Sequence, residues 1–257
     1  MIKRIKYIGI ILLSTVFYAC TNNGGISTEK FVNSNDSVFY HIEADINQSF
    51  IQSFASQNLS PLKEVDQKIS KLNDPLADYW KGYIAYLQSI FYLTQGKKDS
   101  SFHYIDNAIS KLKNEKLSSD GNALVGTMYS FSAQFRSGVM IAASIKKATD
   151  FFQTSLDLDS TNIRSYLGLA TNDYYTPEKY GGKKKVESLL LKALEQPDRI
   201  STDTRLPSWG RDQVYELLIR HYIDLKKMDL AIKYYKEAIA LYPNNYQLIR
   251  LSKSLIS

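Results

Sequence analysis

YELLIRHYIDLKKMDLAIKYYKEAIALYPNN, residues 215–245, decides the fold. Tyr215, Leu218 and Tyr222 follow one another at three and four residues, the spacing of one helix face. After Lys226-Lys227 the spacing resumes with Ala231, Tyr235, Ala238 and Tyr242. The stretch therefore predicts two helices joined by a short turn. Ala231 and Ala238 are small enough to let the second helix approach the first, and the aromatics fill the gap beside them. Pro243 ends the second helix because it lacks the N–H that a further turn would need.

The same signature recurs along the chain. Ala148, Phe152, Ser155 and Ser160 match Ala231, Tyr235, Ala238 and Pro243 at an offset of 231 − 148 = 83 residues. A third copy has Tyr166 and Leu169, then Leu190 and Ala193, with an insertion of about four residues between its helices. A fourth has Trp80, Tyr83 and Leu87, then Ile105 and Ala108. Breakers such as Ser60-Pro61, Asp74-Pro75, Gln95-Gly96, Pro177, Gly181-Gly182, Pro207 and Gly210 cut the chain into rods. Helices are predicted near 40–57, 61–72, 76–94, 99–114, 120–137, 140–157, 162–175, 183–196, 211–225, 229–241 and 246–255. No run of alternating apolar residues bounded by turns predicts a sheet, so the fold class is all-α.

The segment from Tyr215 resembles a tetratricopeptide repeat (TPR). Tyr215, Leu218, Tyr222, Ala231, Tyr235, Ala238 and Pro243 stand at that motif's intervals, with Ile219 where Gly is usual. The resemblance implies a TPR-like solenoid, a right-handed superhelix of antiparallel helical hairpins whose first helices line a concave groove. About four degenerate units would occupy 76–245, with capping helices over 37–75 and 246–257, all in one domain, 37–257. TNIRSYLGL (161–169), YYTPEKYGG (174–182) and LPSWG (206–210) also resemble a group of exported repeat proteins of Bacteroidetes, with Ile163 where Pro is expected. That resemblance implies the repeat fold and an exported location, and no particular biochemical role.

The chain opens MIKRIKYIGIILLSTVFYAC, residues 1–20. Lys3, Arg4 and Lys6 precede an uncharged run of about a dozen residues, short of the ~20 that span a bilayer, which reads as an export signal. Phe17-Tyr18-Ala19-Cys20 resembles the processing site of a bacterial lipoprotein, which implies cleavage after residue 19 and a lipid on Cys20. Residues 20–36, rich in Asn, Ser and Gly, read as a tether with a reach of roughly 20–25 Å. Thr21 after the cysteine, with no acidic run, is similar to sorting to the outer membrane, the domain facing the periplasm. Removing three basic residues lowers the charge from +6 to 29 − 26 = +3, so basicity is no argument for a nucleic-acid partner.

Chemistry-bearing motifs are sparse. His41, His103 and His221 have no second ligand at three or four residues, so neither a metal nor another cofactor is expected. The one cysteine belongs to the export signal, and no Ser lies in Gly-x-Ser-x-Gly, so no catalytic residue is expected. Gly181 and Gly182 before Lys183 at a helix start read either as an anion cradle or as a tight turn beside a solvated charge run. In the repeat register, groove-facing positions are Lys81, Gln88, Arg164, Tyr174, Gln213, Glu216 and Arg220. Those side chains suit an extended peptide or a small anionic ligand. The expected function is scaffolding of another envelope protein through the groove. A solute-binding lipoprotein that partners a transporter is the second reading. A glycan-uptake component is a third, for which the chain has no room for a large ligand-binding insertion.

Overall fold

The computed structural model describes residues 39–72, 74–113, 116–197 and 203–255. The expected export signal, the tether and Cys20 lie outside the described residues.

The described residues form eleven α-helices and no strand. They are α1 (Ile42–Ser56), α2 (Ser60–Ile69), α3 (Pro75–Thr94), α4 (Lys98–Leu112), α5 (Ser119–Ser132), α6 (Val139–Leu158), α7 (Ile163–Tyr175), α8 (Val186–Glu195), α9 (Arg211–Asp224), α10 (Met228–Leu241) and α11 (Tyr246–Leu255). Short polar side chains start several of them. The Asp74 carboxylate accepts from the Leu76 N–H at 2.8 Å, with Pro75 in the first turn, where its missing N–H costs nothing. Ser118 caps α5, Asn162 caps α7, and Asn245 Oδ1 accepts from both Gln247 and Leu248 at the start of α11.

Consecutive helices pair, α1 with α2 through α9 with α10. Within a pair the run is antiparallel. Ser119, at the start of α5, bonds Ser155 near the end of α6, and Asp212, at the start of α9, accepts from Asn245 just beyond α10. The odd-numbered helices also touch their next odd neighbours, α1 to α3, α3 to α5, α5 to α7, α7 to α9 and α9 to α11. The result is a continuous layer of odd helices backed by the even ones.

Close approach within the pairs rests on small residues. A Cβ on Gly126 would fall 2.7 Å from Phe152 and 3.1 Å from the Ala148 carbonyl on α6. In the α3–α4 pair Ser89 and Ser101 exchange side-chain to carbonyl bonds of 2.6 and 2.7 Å. Ala231 and Ala238 are fully buried in the α9–α10 pair. The apolar side chains gather in two clusters. One runs from Phe39 to Phe152 and includes Trp209; the other runs from Ile163 to Leu251. Where α7 meets α5 and α6, polar bonds run between the clusters beside apolar contacts that include Leu156 and Leu169. Asn162 donates to Ser119 and Asp120 at 2.8 Å each, and Ser165 donates to Ser155 at 2.7 Å.

Candidate functional site

The chain between α8 and α9 makes the most unusual feature of the odd-helix layer. Residues 203–210 run back as a strap along the N-terminal ends of helices far away in sequence. Trp80 on α3 donates its indole N–H to the Arg205 carbonyl at 2.9 Å. Glu43 on α1 accepts from the Ser208 N–H at 2.7 Å and from its hydroxyl at 3.2 Å. The Trp209 indole donates to Tyr79 Oη at 2.9 Å and stacks on Tyr83, with centroids 5.7 Å apart. Arg164 on α7 donates to the Trp209 carbonyl at 3.1 Å and lies over the indole ring. Gly210 leaves the strap at φ +120°, a conformation that favours glycine, and a Cβ there would meet Arg164 Cγ at 3.3 Å. Arg211 then pins the start of α9 to the end of α8 by donating to the Leu194 and Gln196 carbonyls.

Charges converge beneath the strap. Arg164 is 2% exposed and pairs with Asp120 at 2.5 Å. Burial raises the Glu43 carboxyl above the usual range, and the Ser208 N–H and the Arg164 guanidinium oppose the rise. Burial also pushes the Asp212 carboxyl up to about 6, against the bonds it receives from the first turn of α9 and from Asn245. Tyr79 and Tyr83 are held protonated by burial. The arrangement can hold main-chain carbonyls, an N–H and an indole. Nothing in it pairs a nucleophile with a base.

Several positions expected to face an open groove are closed. Arg164 is buried in the ion pair and covered by the strap. Glu216 is 5% exposed and bonds Arg220 along its own helix at 2.8 Å. Gln88 is 6% exposed, and Lys81 is half-buried and paired with Asp78 at 2.6 Å. The physical reason on α3 is that the neighbouring turn packs on α4, where Ser89 and Ser101 exchange hydrogen bonds. Tyr79, Trp80 and Tyr83 are the α3 residues that meet the strap, and the sequence reading missed this role for them. Tyr174, Gln213 and Arg220 are half-buried; Tyr174 donates to Asp224 at 2.5 Å.

The anion cradle is filled from within. The Lys185 N–H at the start of α8 donates to the Asp173 carboxylate at 2.6 Å, and the Lys183 N–H donates to the Asp173 carbonyl at 2.8 Å. Gly181 has φ +88°, and a Cβ on Gly182 would lie 2.0 Å from the Thr176 carbonyl. The glycines are therefore required by the turn, and the residue that takes the anion's place is Asp173. Elsewhere, a cavity of about 240 Å³ between α1 and α2 is lined by Ile42, Asp45, Gln48 and Lys68 among others. It is smaller than the ~300 Å³ at which ligand pockets begin. Among the described residues no cluster of three His, Cys, Asp or Glu is placed to hold a metal ion, and no helix is long and apolar enough to cross a membrane. No protein-family model, no curated protein and no solved structure matches the chain.

Proposed function

We propose that this chain is a lipid-anchored TPR superhelix of the cell envelope that holds another protein against its odd-helix layer. Cys20 carries the lipid, residues 20–36 span from it to the domain, and the odd layer is the concave face. No reaction is assigned, and binding is by shape and hydrogen bonding. The observation that carries the reading is the unbroken α1–α3–α5–α7–α9 layer. Such layers in repeat proteins offer long surfaces to extended partners. The strap lies over the N-terminal ends of these helices. Their C-terminal halves keep partly exposed residues, namely Thr127, Thr171, Tyr174, Tyr175 and Arg220.

The test is photo-crosslinking in cells with the probe at Thr171, Tyr174, Gln213 or Arg220, one at a time. The control sites are Lys146 and Lys236, exposed on the even helices α6 and α10. A discrete protein adduct from the odd-layer sites alone is expected. Adducts equal to those of the controls, or none, sink the reading. The anchor is tested separately: Cys20→Ser is expected to move the protein from the membrane to the soluble fraction.

A further inference from the structure

The strap is held the way a bound peptide is held. Its inward and outward residues alternate: Thr204, Leu206 and Ser208 are exposed, whereas Arg205 is half-buried and Pro207 and Trp209 are buried. Residues 203–206 form a turn, in which the Leu206 N–H donates to the Asp203 carbonyl at 3.1 Å, and residues 207–209 continue from it along the helix ends. Its main chain is read by side chains of three separate helices. Trp80 and Arg164 take the carbonyls of Arg205 and Trp209, and Glu43 takes the N–H of Ser208. A single large side chain, Trp209, is anchored by stacking on Tyr83 and by the bond from its ring N–H to Tyr79. A buried aromatic anchor with main-chain bonds around it is the usual composition of a recognition hot spot. Arg211 ties the start of α9 to the end of α8 by bonds that do not involve residues 204–209.

We infer that residues 203–210 are a resident ligand of the odd-helix layer, and that this layer binds in trans a segment of the same chemistry, a hydroxyl residue followed by tryptophan. The inference rests on the proposed reading of that layer as a recognition surface and adds the kind of segment it takes. A strap on the same chain competes at an effective concentration on the order of mM. A partner segment must therefore displace it, and the strap sets a threshold below which weaker peptides are excluded.

The test uses the full mature domain with residues 204–209 replaced by a Gly-Ser linker of equal length, beside the unaltered protein. The probe is a fluorescent synthetic peptide with the sequence of residues 204–211, Thr-Arg-Leu-Pro-Ser-Trp-Gly-Arg. Fluorescence anisotropy is expected to give at least tenfold tighter binding to the linker variant than to the unaltered protein. The affinity should fall at least tenfold when the peptide's Trp is replaced by Ala, or when Glu43→Gln or Tyr83→Ala is added to the variant. A linker variant with native circular dichroism and no saturable binding up to mM peptide overturns the inference. Should the variant unfold, Trp209→Ala takes its place, and the peptide is expected to raise its Tm in a saturable way; no such rise overturns the inference equally. The assay needs no cellular partner. Peptide binding without crosslinks in cells would remove the envelope partner and keep the strap site, and crosslinks without peptide binding would do the reverse.

Discussion

Asp212 shows how a residue's surroundings turn into a measurable pH dependence. Burial lifts its carboxyl from 3.8 to about 6. The folded chain thus holds a proton that the unfolded chain releases between those two values. Folding is favoured in acid, and the advantage is lost as pH rises through about 6. At ~1.4 kcal/mol per tenfold change, the shift corresponds to ~3 kcal/mol, less some screening because the residue is not fully enclosed. Asp212→Asn keeps an oxygen for Asn245 and removes the titration. It is expected to raise stability at pH 7.5 by ~1–2 kcal/mol and to flatten the slope between pH 4 and 6.5, read by urea unfolding at each pH. An unchanged slope would place the titration elsewhere. Arg164 marks the limit of legibility at this scale. Its position in the helical period reads as solvent-facing. Its ion-pair partner, Asp120, is 44 residues away and the carbonyl it bonds is 45 away, so no local pattern announces either. Ala148, Ala231 and Ala238 are legible because close helix approach leaves a small residue at a fixed interval.

Among the elements, sequence and structure agree on all eleven helices, and most ends differ by no more than two residues. Periodicity and breakers suffice where each helix is amphipathic and ends at a local signal. The larger discrepancies have identifiable causes, one between elements and one local. α8 begins at Val186 rather than at residue 183, because Asp173 on α7 bonds the Lys183 and Lys185 N–H groups and holds the lysines in a turn. α5 ends at Ser132 rather than near 137, running into a 3-10 turn over Ala133–Phe135 before Gly138 at φ +54°. The Asp173 contact makes a specific prediction. Asp173→Ala leaves the start of α8 without its acceptor and is expected to cost ~0.5–2 kcal/mol, whereas Asp173→Asn should recover most of that. Hydrogen exchange at Lys185 and Val186 would localise the loss. Uniform protection in Asp173→Ala would show that the carboxylate is dispensable. The strap is legible as the breakers Pro207 and Gly210 and as the LPSWG segment, residues 206–210. Its destination is not, because a segment that docks on Glu43, 165 residues away, carries no periodicity that points there.

For the whole molecule, the decisive feature is that two apolar clusters meet at a seam crossed by buried polar bonds. In a stack where each unit contacts only its neighbours, stability is a sum of unit and interface terms, and a weak interface lets the stack open there. Three devices close the seam. Phe152 reaches across it to Gly168, where a Cβ would lie 2.1 Å from its ring. Asn162, Ser165 and Arg164 on one side bond Ser119, Asp120 and Ser155 on the other. Trp209 emerges beside the second cluster and is buried in the first. Of these, Asp120 is the most exposed to a single change, because it accepts from both Asn162 and Arg164. Asp120→Ala strands the Arg164 guanidinium, and removing one partner of a buried pair costs about 3–5 kcal/mol. The loss falls on the interface and not on either cluster. The expected result is therefore two separable transitions in chemical unfolding, with the amides of α7 to α11 exchanging before those of α3 to α5. A double change, Asp120→Leu with Arg164→Met, replaces the pair by apolar groups of comparable size and should restore a single transition. If Asp120→Ala lowers stability while the chain still unfolds in one step with uniform exchange, the seam is no weaker than the units it joins. Coupling would then run mainly through Phe152 and the strap, and Gly168→Ala, which crowds Phe152 at a cost of ~1–3 kcal/mol, becomes the change expected to split the transition.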